Sequence, residues 1–122
     1  MFRQDQILSL KYPHSSVNLV GEAMCLLWAK KPSFSNFKSL VGESDFLAKY
    51  IRPFNPNTTS DYVLNELATS YIHNEEFAPD KIAAINATAG AMCKWIRCVY
   101  EIASRNNLVT FFVNIQSQSW TK

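Results

Sequence analysis

The chain has 122 residues, 48% of them hydrophobic and 13% aromatic. One domain with a real core is expected, and disorder is excluded. The net charge of +2 is too small to imply nucleic acid by itself, and no apolar run reaches the ~18 residues of a membrane span. The N-terminus, MFRQDQILSLKYPHSS, has no signal-peptide core, so an intracellular chain is expected. The three cysteines, Cys25, Cys93 and Cys98, have no metal-ligand spacing, and an odd count argues for reduced, mostly buried thiols.

In chain order, proline, glycine and cap residues divide the sequence into short helices. Pro13 should end any helix entering from Met1. Ser15 or Ser16 can cap the next, whose buried face is Val17, Val20, Met24 and Leu27, and Pro32 stops it. Phe34, Phe37, Leu40 and Val41 suit a short helix ending at Gly42. Ser44 can cap a segment with Phe46, Leu47, Tyr50 and Ile51 on one face, closed by Pro53. After the loop NPNTTS, Val63, Leu64, Leu67, Tyr71 and Ile72 mark a fourth amphipathic helix.

The stretch from Phe77 to Ala103 is the most regular. Apolar residues at Ile82, Ile85, Ala89, Met92, Ile96, Val99 and Ala103 are spaced 3, 4, 3, 4, 3, 4. That is a heptad seam on one helix, started by Pro79 and Asp80. An ordinary core-facing helix shows the same spacing over a few turns. Beyond Ala103 the seam meets Asn106 and Thr110, and Val109 to Ile115 read as a short strand or an apolar plug. The tail is therefore expected to leave the helix and either fold back on the bundle or be poorly ordered, with the apolar area of Phe111, Phe112 and Val113 favouring fold-back. The pattern as a whole is all-α, a compact helical bundle over 1–103 with an atypical tail at 104–122.

No motif for catalysis emerges. The phosphate loop, GxGxxG, HExxH and CxxC are all missing. His14 reads as a surface turn residue, and His73 as one near a helix end. Trp28 and Trp95 read as core anchors. Charge is segregated. Lys30, Lys31, Lys38, Lys49 and Arg52 stand against Glu43 and Asp45, whereas Ser60 to Asp80 holds five acidic residues and no Lys or Arg. Lys81 begins the last basic segment. Grouped on one face, these cations would steer an acidic partner.

Residue identity adds what spacing cannot. EEFAPDKI followed by AGAMCKWIRCVY resembles the second stalk helix of dynein heavy chains where it leaves the microtubule-binding domain. LKYPHSSVNLVGEAMCLL resembles the end of the first stalk helix, its proline break and the first tip helix. KPSFSNFKSLVGESDFLAKYI and YIHNEEFAPDKI are similar to the middle helices. The resemblance covers roughly Leu8 to Ala103, in the family's order, and is nearer to axonemal than to cytoplasmic members.

The resemblance implies a non-enzymatic microtubule-binding module with short antiparallel coiled-coil stalk stubs, Met1–Lys11 pairing with Ile96–Ala103. The family's ATPase ring lies elsewhere, and no cofactor or metal is expected. It implies Lys30, Lys31, Lys38, Lys49, Arg52 and Lys81 as microtubule contacts. Asn18, Glu43 and Ala84 stand where other members carry basic residues, which implies weaker binding. Tubulin is the implied partner, with an axonemal light chain as a further one, and the cytoplasm and cilium axoneme are the implied setting. Neither nucleic acid nor membrane is implied. The alternative is a helical adaptor docking an axonemal protein without tubulin contact.

Overall fold

The computed structural model describes the backbone of residues 3–120 and the side chains of residues 3–105. The described residues form six α-helices and no strand: α1 (Gln4–Leu8), α2 (Ser15–Leu27), α3 (Phe34–Val41), α4 (Asp61–Leu67), α5 (Pro79–Ile85) and α6 (Ala87–Trp120). Two π-helical stretches, Leu47–Ile51 and Ala68–Ile72, and a 3-10 turn at Pro56–Thr58 complete the chain. The all-α bundle expected from sequence is found. No helix among the described residues is long and apolar enough to cross a membrane.

Local chemistry accounts for most of the boundaries. Ser33 Oγ accepts from Asn36 N–H at 3.1 Å and Ser60 Oγ from Val63 N–H at 3.2 Å, each capping the helix that follows. The cap of α2 is neither Ser15 nor Ser16. His14 Nδ1 accepts from Ser16 N–H at 3.2 Å, and Ser16 itself is buried. The end of α2 is a Schellman turn, with Lys30 N–H on Cys25 C=O at 2.9 Å and Ala29 N–H on Leu26 C=O at 3.2 Å. Ala29 occupies its left-handed position, at φ 56. Gly42, expected to play that part after α3, has φ −74 instead. Ser44 caps nothing, and the segment after it runs as the π-helical stretch, closed by Arg52 N–H on Leu47 C=O at 2.8 Å.

The long seam helix is broken. Asn86 leaves helical geometry at φ −151, ψ 114 and caps α6, its Oδ1 accepting from Ala89 N–H at 2.9 Å. A Cβ on Gly90 would lie 2.5 Å from Ala83 Cβ and 2.6 Å from Ala83 Cα, so α5 folds against α6 with their backbones nearly touching. The break takes Ile85 out of the seam, leaving it half-exposed, while Ala89, Met92, Ile96, Val99 and Ala103 are all buried.

That stripe of α6 is the spine of the core. Around it sit Ile7, Val20, Met24, Phe37, Phe46, Leu67, Phe77 and Ile82, all buried. Each large side chain so buried stabilises the fold by roughly 1.5–3 kcal/mol. Arg97, on the same helix, donates from Nε to Phe77 C=O at 3.0 Å and from a terminal nitrogen to Ile72 C=O at 3.0 Å. Its guanidinium also lies 5.3 Å from the Phe77 ring centroid.

The N-terminal segment and the tail bear on two expectations. The segment is hydrogen-bonded to α3 and the residues after it, through Gln4 Nε2 on Val41 C=O and Glu43 C=O and through Lys38 Nζ on Leu10 C=O, and also to the start of α6. Arg3 N–H donates to Thr88 Oγ1 at 3.0 Å, Thr88 N–H to Gln6 Oε1 at 3.0 Å, and Asn86 Nδ2 to Gln6 C=O at 3.0 Å. Thr88 lies about 12 Å along the helix from Ile96, so these three bonds meet α6 short of Ile96–Ala103, the stretch expected to face the N-terminal segment. Second, the tail does not leave the helix. α6 runs through Asn106, Thr110 and Ile115 to Trp120, because neither an Asn pair nor a β-branched run overrides propagation of a formed helix. The expected fold-back of Phe111, Phe112 and Val113 falls on side chains outside the described residues.

Candidate binding surface

The six candidate cations divide into three situations. Lys30 and Lys31 follow the Schellman turn and are exposed. They share a hollow with Leu26, Ala29, Pro32, Ser60, Tyr62 and Val63. Tyr62 is 69% exposed, so an aromatic side chain lines the same hollow as the two lysines. Their placement rests on Ala29, since the left-handed turn ends α2 and sends the next residues outward.

Lys38 and Lys49 are engaged. Lys38 Nζ donates to Leu10 C=O at 2.9 Å and lies over the Phe34 ring, tying α3 to the first segment. Lys49 pairs with Glu43 at 2.9 Å. Tyr50 donates its hydroxyl to the other Glu43 oxygen. That hydrogen bond and then Lys49 hold the Glu43 carboxyl below its ordinary range, with a smaller contribution from Lys30. The pair is exposed, so it adds little stability, but it removes one positive charge from the surface.

Arg52 and Lys81 stand apart from the lysine pair. Arg52 lies at the end of the π-helical stretch and lines a groove of about 660 Å³ with Leu47, Ile51, Ala91, Lys94, Trp95 and Cys98. Lys81 is exposed on the first turn of α5. Sequence reasoning missed Lys94 as a partner of Arg52 and Arg97 as an internal strut. Their heptad neighbours carried a signal, but only folding decides which flank faces a groove.

An aromatic cluster joins these regions. Trp28 and Trp95 stack with centroids 5.9 Å apart and planes 6° from parallel. Phe54 meets both rings edge-on, at 5.4 and 5.3 Å, and Tyr50 meets Trp28 at 5.6 Å. The expected anchoring role of the two tryptophans is found, though they brace the rim of the core rather than its centre. Stacks of this kind contribute about 0.5–1.5 kcal/mol per pair beyond area burial.

The cysteines are free. Cys25 and Cys93 are buried and Cys98 is exposed. Burial raises the Cys93 thiol to about 11 and raises Cys25 as well. Burial, reinforced by Glu22, raises the hydroxyl of Tyr71, which donates to Glu22 Oε1 at 3.0 Å. These groups are neutral packing elements at pH 7.

Comparison with known proteins agrees with the residue-level resemblance. Dynein axonemal heavy chain 6 of Homo sapiens is 30% identical over 87 residues, 71% of this chain. The chain is a relative of the axonemal dynein heavy chains. Dynein axonemal heavy chain 2 of Homo sapiens is 29% identical over 94 residues, 77% of this chain. Dynein axonemal heavy chain 1 of Homo sapiens is 24% identical over 110 residues, 79% of this chain. The matched part is 2% of the length of the first two relatives and 3% of the third. No protein-family model matches the chain. The relationship to axonemal dyneins thus covers a small all-helical portion of a very large protein, and no motor ATPase region is evident in it.

Proposed function

We propose that this dynein relative is a non-enzymatic track-binding module, the microtubule-binding tip of a dynein stalk, acting on the cytoskeleton of the ciliary axoneme. The observation that carries the reading is the exposed Lys30–Lys31 pair, held beside Tyr62 and outside any ion pair among the described residues. Two adjacent cations fit an acidic lattice, and their attraction acts at long range and is screened by salt, with a Debye length of ~8 Å at physiological ionic strength. Glu43 opposes it by neutralising Lys49, in line with the weaker binding expected from sequence.

Microtubule co-sedimentation across a salt series tests the reading. Binding is expected to weaken steeply with salt. Reversing Lys30 and Lys31 to Glu is expected to abolish it, whereas Glu43→Gln, which frees Lys49, is expected to strengthen it several-fold. Lys81→Glu reports whether α5 shares the surface. Binding that survives K30E/K31E undiminished would overturn the proposal.

A further inference from the structure

A second surface is built differently from the lysine hollow. The groove between the Leu47–Ile51 stretch and α6 has an apolar floor of Leu47, Ile51, Ala91, Trp95 and Cys98. Along α6 the stripe Ala91, Trp95, Cys98 and Ile102 is spaced 4, 3, 4, a seam separate from the buried one. Cys98 is exposed, Ile102 is 47% exposed and Leu47 is 36% exposed. The seam, half-buried at Ala91 and Trp95 and exposed at Cys98 and Ile102, runs about 16 Å from first residue to last and matches the apolar face of one helix.

Charge narrows the occupant. The groove holds two charged residues, Arg52 and Lys94, on opposite walls: Arg52 at the end of the π-helical stretch and Lys94 on α6. Both are exposed, and neither joins an ion pair among the described residues. Among the described residues, no acidic one lines the groove. Asp45 shares only the adjacent smaller hollow with Arg52. A second copy laid groove to groove would set these cations against their own counterparts, so the complement lies on a different chain.

We propose that this groove docks an amphipathic helical segment of a protein partner, its apolar stripe flanked on both sides by acidic side chains. The inference goes beyond track binding and assigns Arg52 to this surface rather than to the lysine hollow. The apolar face supplies affinity, and the two cations set register and reject basic helices.

The test uses the full chain and a synthetic helical peptide of about 15 residues, long enough to hold helix, with a leucine stripe flanked by Glu, and a twin with Lys in place of each Glu. The readout is the rate of iodoacetamide alkylation of Cys98, since Cys25 and Cys93 are buried. The Glu peptide is expected to slow alkylation several-fold and the Lys twin to leave it unchanged. In R52E/K94E the preference should invert, which keeps the test valid if either peptide adheres nonspecifically. Equal protection by both peptides, no protection, no inversion, or self-association that shields Cys98 without peptide would each overturn the proposal. K30E/K31E should keep its peptide response while losing microtubules, so the two readings fail separately.

Discussion

The α5–α6 corner and the rim around Trp28 solve the same problem, turning the chain and holding it there, by opposite means. At the corner the chain turns on one residue. Asn86 caps α6, Gly90 lets the backbones meet at Ala83, and Gln6 ties α1 to Thr88. At the rim the turn is loose. Ala29 sits in a left-handed position, the Leu47–Ile51 stretch is π-helical, and Trp28, Tyr50, Phe54 and Trp95 fill the space. The corner gains its precision from small residues and hydrogen bonds, and the rim gains adaptability from large rings. The candidate binding groups, Lys30, Lys31, Arg52 and Lys94, lie at the rim, where π-helical turns and side-chain access go together.

The comparison breaks first at Gly90. Gly90→Val drives a side chain into the Ala83 backbone, and overpacking there is expected to cost about 3 kcal/mol. The urea midpoint should fall correspondingly. If the midpoint barely moves, the corner is not the rigid element described. Asn86→Ala removes the α6 cap and the bond to Gln6 C=O, with an expected loss of about 1–2 kcal/mol in the same melts. At the rim the sign reverses. Ala29→Gly relieves a left-handed alanine and is expected to stabilise by about 1 kcal/mol, without altering the corner's amide-exchange protection. Destabilisation by Gly would show that the rim turn is not strained.

The smallest effect at neutral pH belongs to Cys93. Its thiol is raised from the ordinary 9.0 to about 11, so the unfolded chain ionises first on the way up. The associated stability is complete below pH 9 and is lost as pH rises toward 11. Urea melts across that window should show a decline that Cys93→Ala makes shallower, with Tyr71 contributing above pH 10. A decline of the same slope in the variant would place the titration elsewhere.

These two regions also show what was legible in the chain. The buried run Ala89, Met92, Ile96, Val99 and Ala103 followed directly from spacing, because period alone decides which face of a helix is apolar. The corner was hidden, since NATAG within a helical pattern differs from an uninterrupted helix only through contacts to Gln6 and Ala83. Ala29 gave no C-terminal signal because the turn ordinarily demands glycine. The cations were legible as types but not as roles. Engagement of Lys38 by Leu10 and of Lys49 by Glu43 is tertiary, and the groove that Arg52 and Lys94 both line brings together residues remote in sequence. The tail was misjudged because residue propensities were weighed one at a time, whereas a helix already propagating from Asn86 carries unfavourable residues with it.

The single span of α6 has a mechanical consequence. Its 34 residues make a rod of about 51 Å, held in the core along its first half by Ala89, Met92, Ile96, Val99 and Ala103. A tilt of about 10° of that packed half swings the far end through roughly 4 Å over the ~26 Å beyond Ala103. The packed half therefore acts as the fulcrum of a lever. A small repacking around it would be read out as a displacement at the far end, and a push on the far end would return to the core with the same mechanical advantage.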